Sequence, residues 1–302
     1  MPDPRRPRAR DLSYATSVPS PRGRVIVRAL ENATGRLRLM RLAQGYDDEV
    51  AAGGDFWEVI CNRYGITLDV VGGSLEAIPA HGPLVVVANH PYGILDGLMM
   101  GRILSARRNR DFKVLAHRIF RRAEDLERVI LPISFDETKE AQKLNLDTRA
   151  EALAYLRAGG AIGVFPGGTV STGQGPFGRP LDPGWRTFTA KMIQKSGATV
   201  VPIFFEGGNS RLFQIASHLH VNLRMGLLMR EFRARIGRPV RVVVGAPLGP
   251  EALEIHAKDP RALMDFLRKA TYQLSPTPMD VSALGYEFEE KHRGQHGGRN
   301  LR

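Results

Sequence analysis

Residues 84–98 read Leu-Val-Val-Val-Ala-Asn-His-Pro-Tyr-Gly-Ile-Leu-Asp-Gly-Leu. The run 84–88 is apolar at every position, without the alternation of a strand that has one wet face. It predicts a strand covered on both sides, the environment of a parallel sheet. A Pro/Gly turn ends the run, and Asp96 stands where a helix would begin. Short runs of the same kind recur at 66–71, 112–116, 129–133, 162–165, 199–204 and 240–244. Helical spacing fills the intervals at 56–64, 95–106, 138–157, 185–195, 210–236 with a possible break, and 260–274. Strands and helices in alternation predict an α/β fold, a mainly parallel central sheet flanked by helices.

Outward from this core, residues 25–45 place Ile26, Leu30, Leu37, Met40 and Leu42 at roughly helical spacing among arginines, predicting one or two basic amphipathic helices. Residues 1–24 mix six arginines with prolines and serines and read as a disordered basic tail. Residues 276–302, polar and glycine-rich, read as a poorly ordered second tail. One domain over 25–275 is the economical division, and no fixed-period repeat suggests a solenoid.

The 302 residues carry 43 Lys+Arg against 31 Asp+Glu, a net charge of +12, with 43% hydrophobic residues. That composition excludes disorder of the whole chain and leaves three anionic partners open: nucleic acid, a membrane surface, or an acidic or phosphorylated substrate. No apolar run approaches the roughly 20 residues of a membrane-spanning helix, so no such anchor is expected. The basic N-terminus lacks the apolar stretch of a signal peptide. Cys61 is the single cysteine, which precludes an intramolecular disulfide or a Cys-based zinc cluster and favours an intracellular setting. His117, His218 and His220 make no recognisable metal set, and no metal or cofactor is expected.

Two strand-to-loop junctions can carry chemistry. In open α/β sheets ligands bind at the carboxyl ends of strands, so Asn89 and His90 would face a crevice. A carboxylate at Asp96 can accept from one imidazole nitrogen and leave the other as a base. The plainer reading makes His90 a turn residue and Asp96 a helix cap. The second junction is Phe165-Pro166-Gly167-Gly168-Thr169-Val170-Ser171, whose glycines let backbone N–H groups approach an anion or a developing oxyanion. A tight turn is the plain alternative there. The Gly-x-Gly-x-x-Gly match at 173–178 is followed by prolines that forbid a helix, which argues against a dinucleotide site. No Gly-x-Ser-x-Gly elbow, Walker loop or His-Glu-x-x-His occurs.

Asn89-His90 with Asp96, the 165–171 loop, and Val201-Pro202-Ile203 followed by Glu206-Gly207 resemble the ordered motifs of the glycerolipid and lysophospholipid acyltransferases. His90–Gly97, Trp185-Arg-Thr-Phe-Thr-Ala-Lys191 and Phe204-Phe-Glu-Gly-Gly-Asn-Ser-Arg-Leu-Phe213 are similar to its hemolysin-annotated bacterial branch, whose relatives include ornithine-lipid O-acyltransferases. The resemblance spans about residues 60–250. It implies transfer of a fatty acyl group from an acyl thioester, acyl carrier protein or coenzyme A, to a lysolipid hydroxyl. His90 would then be the general base, Asp96 its partner, and Asn89, Phe165, Pro166, Gly167, Gly168, Thr169 and Ser171 the substrate-binding set. It also implies a peripheral protein on the cytoplasmic face of an anionic membrane, with no nucleic-acid partner.

Two departures from the family pattern bear on this. Five residues separate His90 from Asp96 where four are usual, so contact requires that the Pro/Gly turn absorb one. Gly167 and Val170 occupy the usual Glu and Arg positions of the glycine loop. Loss of that arginine removes a bidentate phosphate clamp and favours a lyso-aminolipid, or another lysolipid without that phosphate contact, over a glycerol phosphate. The competing reading from a different class is a non-catalytic basic module that binds membrane or nucleic acid. The region 211–235, apolar residues interleaved with arginines, fits either an interfacial helix or an ordinary helix with a solvated basic face.

Overall fold

The computed structural model describes residues 8–287 except 12, 19, 135–137 and 257. Among the described residues two short 3-10 turns, Ala9–Asp11 and Tyr14–Ser17, precede four α-helices: α1 (Pro21–Thr34), α2 (Arg36–Leu42), α3 (Tyr46–Ala51) and α4 (Phe56–Arg63). Strand β1 (Thr67–Gly72) and strand β2 (Leu84–Ala88) follow, then α5 (Ile94–Arg107), β3 (Lys113–His117), β4 (Ile130–Ile133), α6 (Lys139–Arg157) and β5 (Ala161–Val164). The rest runs α7 (Phe188–Ser196), β6 (Thr199–Phe205), α8 (Arg211–Leu219), α9 (Val221–Arg233), β7 (Pro239–Val244), α10 (Pro250–Glu254) and α11 (Pro260–Gln273).

The seven strands form one sheet in the order β1-β7-β6-β2-β5-β3-β4. Strands β6, β2, β5, β3 and β4 are mutually parallel, while β7 runs antiparallel to β6 and β1 pairs parallel with β7. The expected sheet is therefore present, with a reversed pair at one edge. All five residues of β2 are buried. Leu84, Val86 and Ala88 belong to the core beneath α4, α5 and α9, while Val85 and Val87 belong to the core beneath α6, α7 and α11. A continuous apolar run is thus required because each side chain meets one of two helical layers. The parallel set also brings the loops after β2, β5 and β6 to one edge.

Both expected tails are engaged where they are described. Ser20 caps α1 by accepting from Gly23 N–H at 3.1 Å, and Pro21 is its first residue, so a helix starts inside the segment expected to be mobile through residue 24. Ahead of it Ser13, Ala15 and Val18 are buried. The buried Glu31 carboxylate of α1 accepts from Ser13 Oγ and, at 2.8 Å, from Tyr14 N–H, which anchors that stretch. At the other end, the fully buried Arg268 of α11 donates to the carbonyls of Val281 (2.9 Å) and Ala283 (2.6 Å), so residues 281–286 form a strap and not the expected loose end. A buried guanidinium needs acceptors, and the strap's backbone supplies them. Residues 1–7 and 288–302 lie outside the described residues.

Helix α7 starts at Phe188, three residues later than its apolar spacing suggests. Arg186 N–H donates to the Pro166 carbonyl at 3.0 Å and the Trp185 indole N–H to Asp182 at 2.9 Å, which hold this segment to the loop after β5. The long region 210–236 breaks at His220, whose extended backbone ends α8 and whose Nδ1 accepts from Asn222 N–H at 3.0 Å to cap α9. The two halves then differ: α9 buries Arg224, Leu227, Leu228, Met229 and Phe232, whereas α8 keeps one face in solvent.

Candidate active site

His90 leaves the carboxyl end of β2 and places Nδ1 3.0 Å from Oδ2 of Asp96, whose side chain is 0% exposed. The extra residue of the His90–Asp96 spacing is absorbed at Gly93, with φ 85° and ψ −114°. That conformation is essentially restricted to glycine, and a Cβ there would also press on Val170 and Leu228 at 3.2 and 3.3 Å. The turn directs the N–H groups of Tyr92 and Gly93 at the same Oδ2, at 2.8 and 2.9 Å. The helix cap itself is Gly93, and Asp96, the third residue of α5, both accepts from the cap's N–H and stands beside His90, so the plain reading holds in modified form. Burial pushes its carboxyl above the ordinary range, opposed chiefly by the adjacent His90.

The loop after β5 closes over the other side of the imidazole. The Phe165 ring stacks on His90 with centroids 4.3 Å apart and planes 23° from parallel. Gly168 N–H donates to the Phe165 carbonyl at 3.0 Å, forming a tight turn through Pro166 and Gly167. Ser171 N–H donates to the His90 carbonyl at 2.8 Å, and its Oγ to Asp182 at 2.5 Å. Six of the seven expected binding residues, Phe165 to Gly168, Thr169 and Ser171, thus share one loop against His90. Asn89 has a different position: its amide bridges to Phe205, Nδ2 to the carbonyl at 2.9 Å and Oδ1 from the N–H at 2.7 Å. It ties β2 to β6, because a buried amide at a strand end must find both a donor and an acceptor. A cleft of about 380 Å³ opens beside it, with Arg179, Glu206, Arg211 and Tyr272 in its walls.

Two residues organise this site from outside its sequence motifs. Asp182, fully buried, accepts from His90 N–H at 3.1 Å, Ser171 Oγ and the Trp185 indole, so one carboxylate joins both strand-end loops. Its own N–H donates to the Tyr272 hydroxyl at 2.7 Å, and its carbonyl accepts from Arg268 at 3.1 Å and Gly285 N–H at 2.8 Å. An acid among Leu181, Pro183 and Gly184, just before the Trp185 motif, was the available signal. Arg224 of α9 is 4% exposed and lies over the Phe213 ring. It donates to Thr172 Oγ1 (2.7 Å), Ser217 Oγ (2.8 Å), Thr169 Oγ1 (3.1 Å) and the Val170 carbonyl (2.7 Å). Sequence alone counted it among the surface cations, since nothing local shows that three of its four partners lie some fifty residues earlier.

His117, His218 and His220 do not converge on this site. His117 Nδ1 accepts from Ile119 N–H at 3.4 Å, His218 Nε2 lies 3.0 Å from the Gly173 carbonyl, and His220 caps α9. Gly173–Gly178 is a loop that opens no helix.

The chain is similar to the lyso-glycine lipid O-acyltransferase of Phocaeicola vulgatus, with 26% identity over 235 residues that cover 76% of this chain and 80% of the relative. The lyso-glycine lipid O-acyltransferase of Bacteroides thetaiotaomicron is 25% identical over 229 residues, 74% of this chain and 80% of that one. The crystal structure of the 1-acyl-sn-glycerophosphate (LPA) acyltransferase PlsC from Thermotoga maritima matches with a TM-score of 0.42 and 16% identity over 74% of this chain and 83% of that one. A family model described as Acyltransferase matches residues 51–281, from just before α4 to the start of the C-terminal strap and so across the whole His90–Asp96–Phe165 constellation. With that span, the chain belongs to the acyltransferase family.

Proposed function

We propose that this acyltransferase moves a fatty acyl group from an acyl thioester, carried by acyl carrier protein or coenzyme A, to the hydroxyl of a lysolipid, with His90 as general base. The contact that carries the reading is His90 Nδ1 at 3.0 Å from the buried Asp96 carboxylate. With Nδ1–H donated to Asp96, the lone pair of Nε2 takes the acceptor's hydroxyl proton as the hydroxyl oxygen attacks the thioester carbonyl carbon. Of the two loop glycines, Gly167 is the candidate to hold the resulting oxyanion through its backbone N–H, because the Gly168 N–H is taken by the Phe165 carbonyl. The C–S bond then breaks, and His90 returns the proton to the departing thiolate. Ionised Asp96 stabilises the transient imidazolium. No acyl-enzyme is required.

Two observations favour a lyso-aminolipid acceptor over a glycerol phosphate. Val170 stands where the family's loop arginine would clamp a phosphate, and the arginine that does reach this loop, Arg224, directs its two terminal nitrogens at four protein acceptors. The similar proteins of Phocaeicola vulgatus and Bacteroides thetaiotaomicron are named for a lyso-glycine lipid. We place the protein peripherally, on the cytoplasmic face of an anionic membrane. The net charge of +12 supports that location, and no described helix is long and apolar enough to cross a bilayer. A non-catalytic binding module would account for the charge but gives no reason for a stacked, carboxylate-paired imidazole at a strand end.

The test is direct. Purified protein, acyl carrier protein thioester and vesicles containing lyso-glycine or lyso-ornithine lipid should yield the diacyl product, and lysophosphatidic acid should be the poorer acceptor. His90→Ala should lower turnover by about 10²-fold or more with the fold intact. Undiminished turnover in a folded His90→Ala protein would overturn the mechanism, and preference for lysophosphatidic acid would overturn the acceptor class.

A further inference from the structure

Helix α8 exposes residues that a surface helix of a globular protein usually turns inward. Phe213, Gln214, Ala216 and Ser217 form its buried side. Its outward side carries Leu212 at 48% and Leu219 at 68% exposure, with the partly exposed Ile215 between them. These three lie at i, i+3 and i+7 and form one stripe. At the N-terminal end of the stripe the guanidinium of Arg211 donates to the carbonyls of Phe177 (2.6 Å) and Gly178 (3.1 Å), which brings in a further apolar side chain, Phe177, at 76% exposure. Single exposed apolar residues are ordinary on proteins, but an aromatic and two leucines along one helix edge form a continuous feature.

The segments that carry the stripe have one sign of charge. Residues 173–179 and 211–230 contain no Asp or Glu. Arg179 and Arg211 are exposed, and neither guanidinium meets a carboxylate among the described residues. Large apolar side chains on segments that carry exposed arginines and no acid match the boundary between anionic headgroups and acyl chains. The same two arginines stand in the wall of the cleft that reaches Asn89, one residue from His90. On its inner side, α8 holds the loop beyond Ser171, through Gln214 accepting from Gly173 N–H at 3.1 Å.

We propose that the outward edge of α8, Leu212, Ile215 and Leu219 together with Phe177, is the surface that seats this protein on an anionic bilayer, with Arg179 and Arg211 over the headgroups and the mouth of the Asn89 cleft facing the lipid. The assignment rests on the lipid-acylating reading for its purpose, and on the exposed stripe and its charge for its location. It locates at α8 the interfacial element that the 211–235 sequence left open. Buried α9, with Arg224 drawn into the loop, is not part of it.

The full chain should float with vesicles containing phosphatidylglycerol, more weakly as salt rises, and bind little to phosphatidylcholine alone. Replacing Phe177, Leu212 and Leu219 together by serine should weaken that binding by about tenfold or more. Should the triple variant melt early, Leu212→Ser with Leu219→Ser is the smaller change and should weaken binding in the same direction. Turnover of vesicle-embedded acceptor should fall in parallel, while acylation of a short-chain acceptor dissolved as monomer, which needs no surface, stays within about twofold. Unchanged flotation of a folded variant would overturn the surface assignment. A shift in oligomeric state, or loss of activity toward an acyl carrier protein thioester with vesicle binding intact, would reassign the stripe to a protein partner and overturn it equally. If flotation falls as expected but wild-type protein acylates no lysolipid, the transferase reading fails and the docking surface stands.

Discussion

Asp96→Asn separates charge from shape at the candidate active site. Tyr92 N–H and Gly93 N–H donate to one carboxylate oxygen, Oδ2, His90 Nδ1 lies 3.0 Å from it outside good hydrogen-bond geometry, and the buried Oδ1 has no hydrogen-bond partner. An asparagine with its carbonyl oxygen in place of Oδ2 keeps both backbone bonds and the imidazole contact, loses the negative charge, and sets a buried NH₂ where Oδ1 has no partner, a cost that does not vary with pH. A hydrogen bond to a charged group is stronger than a neutral one by about 1–2 kcal/mol, so the transient imidazolium loses that much and kcat falls about 5–30-fold. If the amide instead turns its NH₂ to the imidazole, the wrong ring nitrogen carries the proton and the loss is larger. Stability should respond in the opposite sense. Burial raises the Asp96 carboxyl above its ordinary 3.8, so its favourable contribution is full below that value and is lost as pH rises through the folded-state value. The variant has no such loss. Its melting temperature relative to wild type should therefore increase from pH 4 to pH 7.

The assay is steady-state acyl transfer beside thermal melting across that pH range, with a double-mutant cycle. In a His90→Ala background, Asp96→Asn should cost no further activity, because there is no imidazolium left to stabilise. A folded Asp96→Asn enzyme with wild-type kcat would refute the pairing. So would an equal loss on top of His90→Ala, and a variant that grows relatively less stable toward pH 7 would refute the cost of the buried charge.

Asp182→Ala leaves three donors without their acceptor, His90 N–H, Ser171 Oγ and the Trp185 indole, and should lower unfolding free energy by about 3 kcal/mol or more in urea titrations. Gly93→Ala forces a side chain into φ 85° against Val170 and Leu228, and should cost about 1–3 kcal/mol while lowering kcat, since the Gly93 N–H orients Asp96. Arg224→Met withdraws donors from Thr169, Val170, Thr172 and Ser217, so proteolysis or hydrogen exchange should detect an opened 169–172 loop together with a stability loss of about 2–4 kcal/mol.

The strands were legible because each is a short apolar run with both faces covered, and that property is written in consecutive residues. The site was legible in outline for a related reason: His90, Asp96 and the Phe165–Ser171 loop directly follow two such strands, so their proximity follows from a parallel sheet. The residues that hold those loops were not legible. Asp182 reaches the His90 loop across 92 residues and Arg224 the 169–172 loop across more than fifty, and their local sequences resemble a polar turn and a basic helix face. Tail boundaries failed likewise, since Glu31 and Arg268 recruit segments whose composition alone suggests no packing.

By itself, then, the sequence determined the alternating α/β order, the positive charge and the placement of an imidazole and a carboxylate around one turn, because these depend on local periodicity and backbone chemistry. Only the tertiary structure decided that Gly93 absorbs the extra residue so that His90 meets Asp96, and that β7 and β1 run against the other strands. It also decided that α9 turns inward while α8 keeps its leucines outside. A periodic pattern shows that a helix has an apolar face. Which of two such helices finds a partner depends on the space the rest of the chain leaves above the sheet.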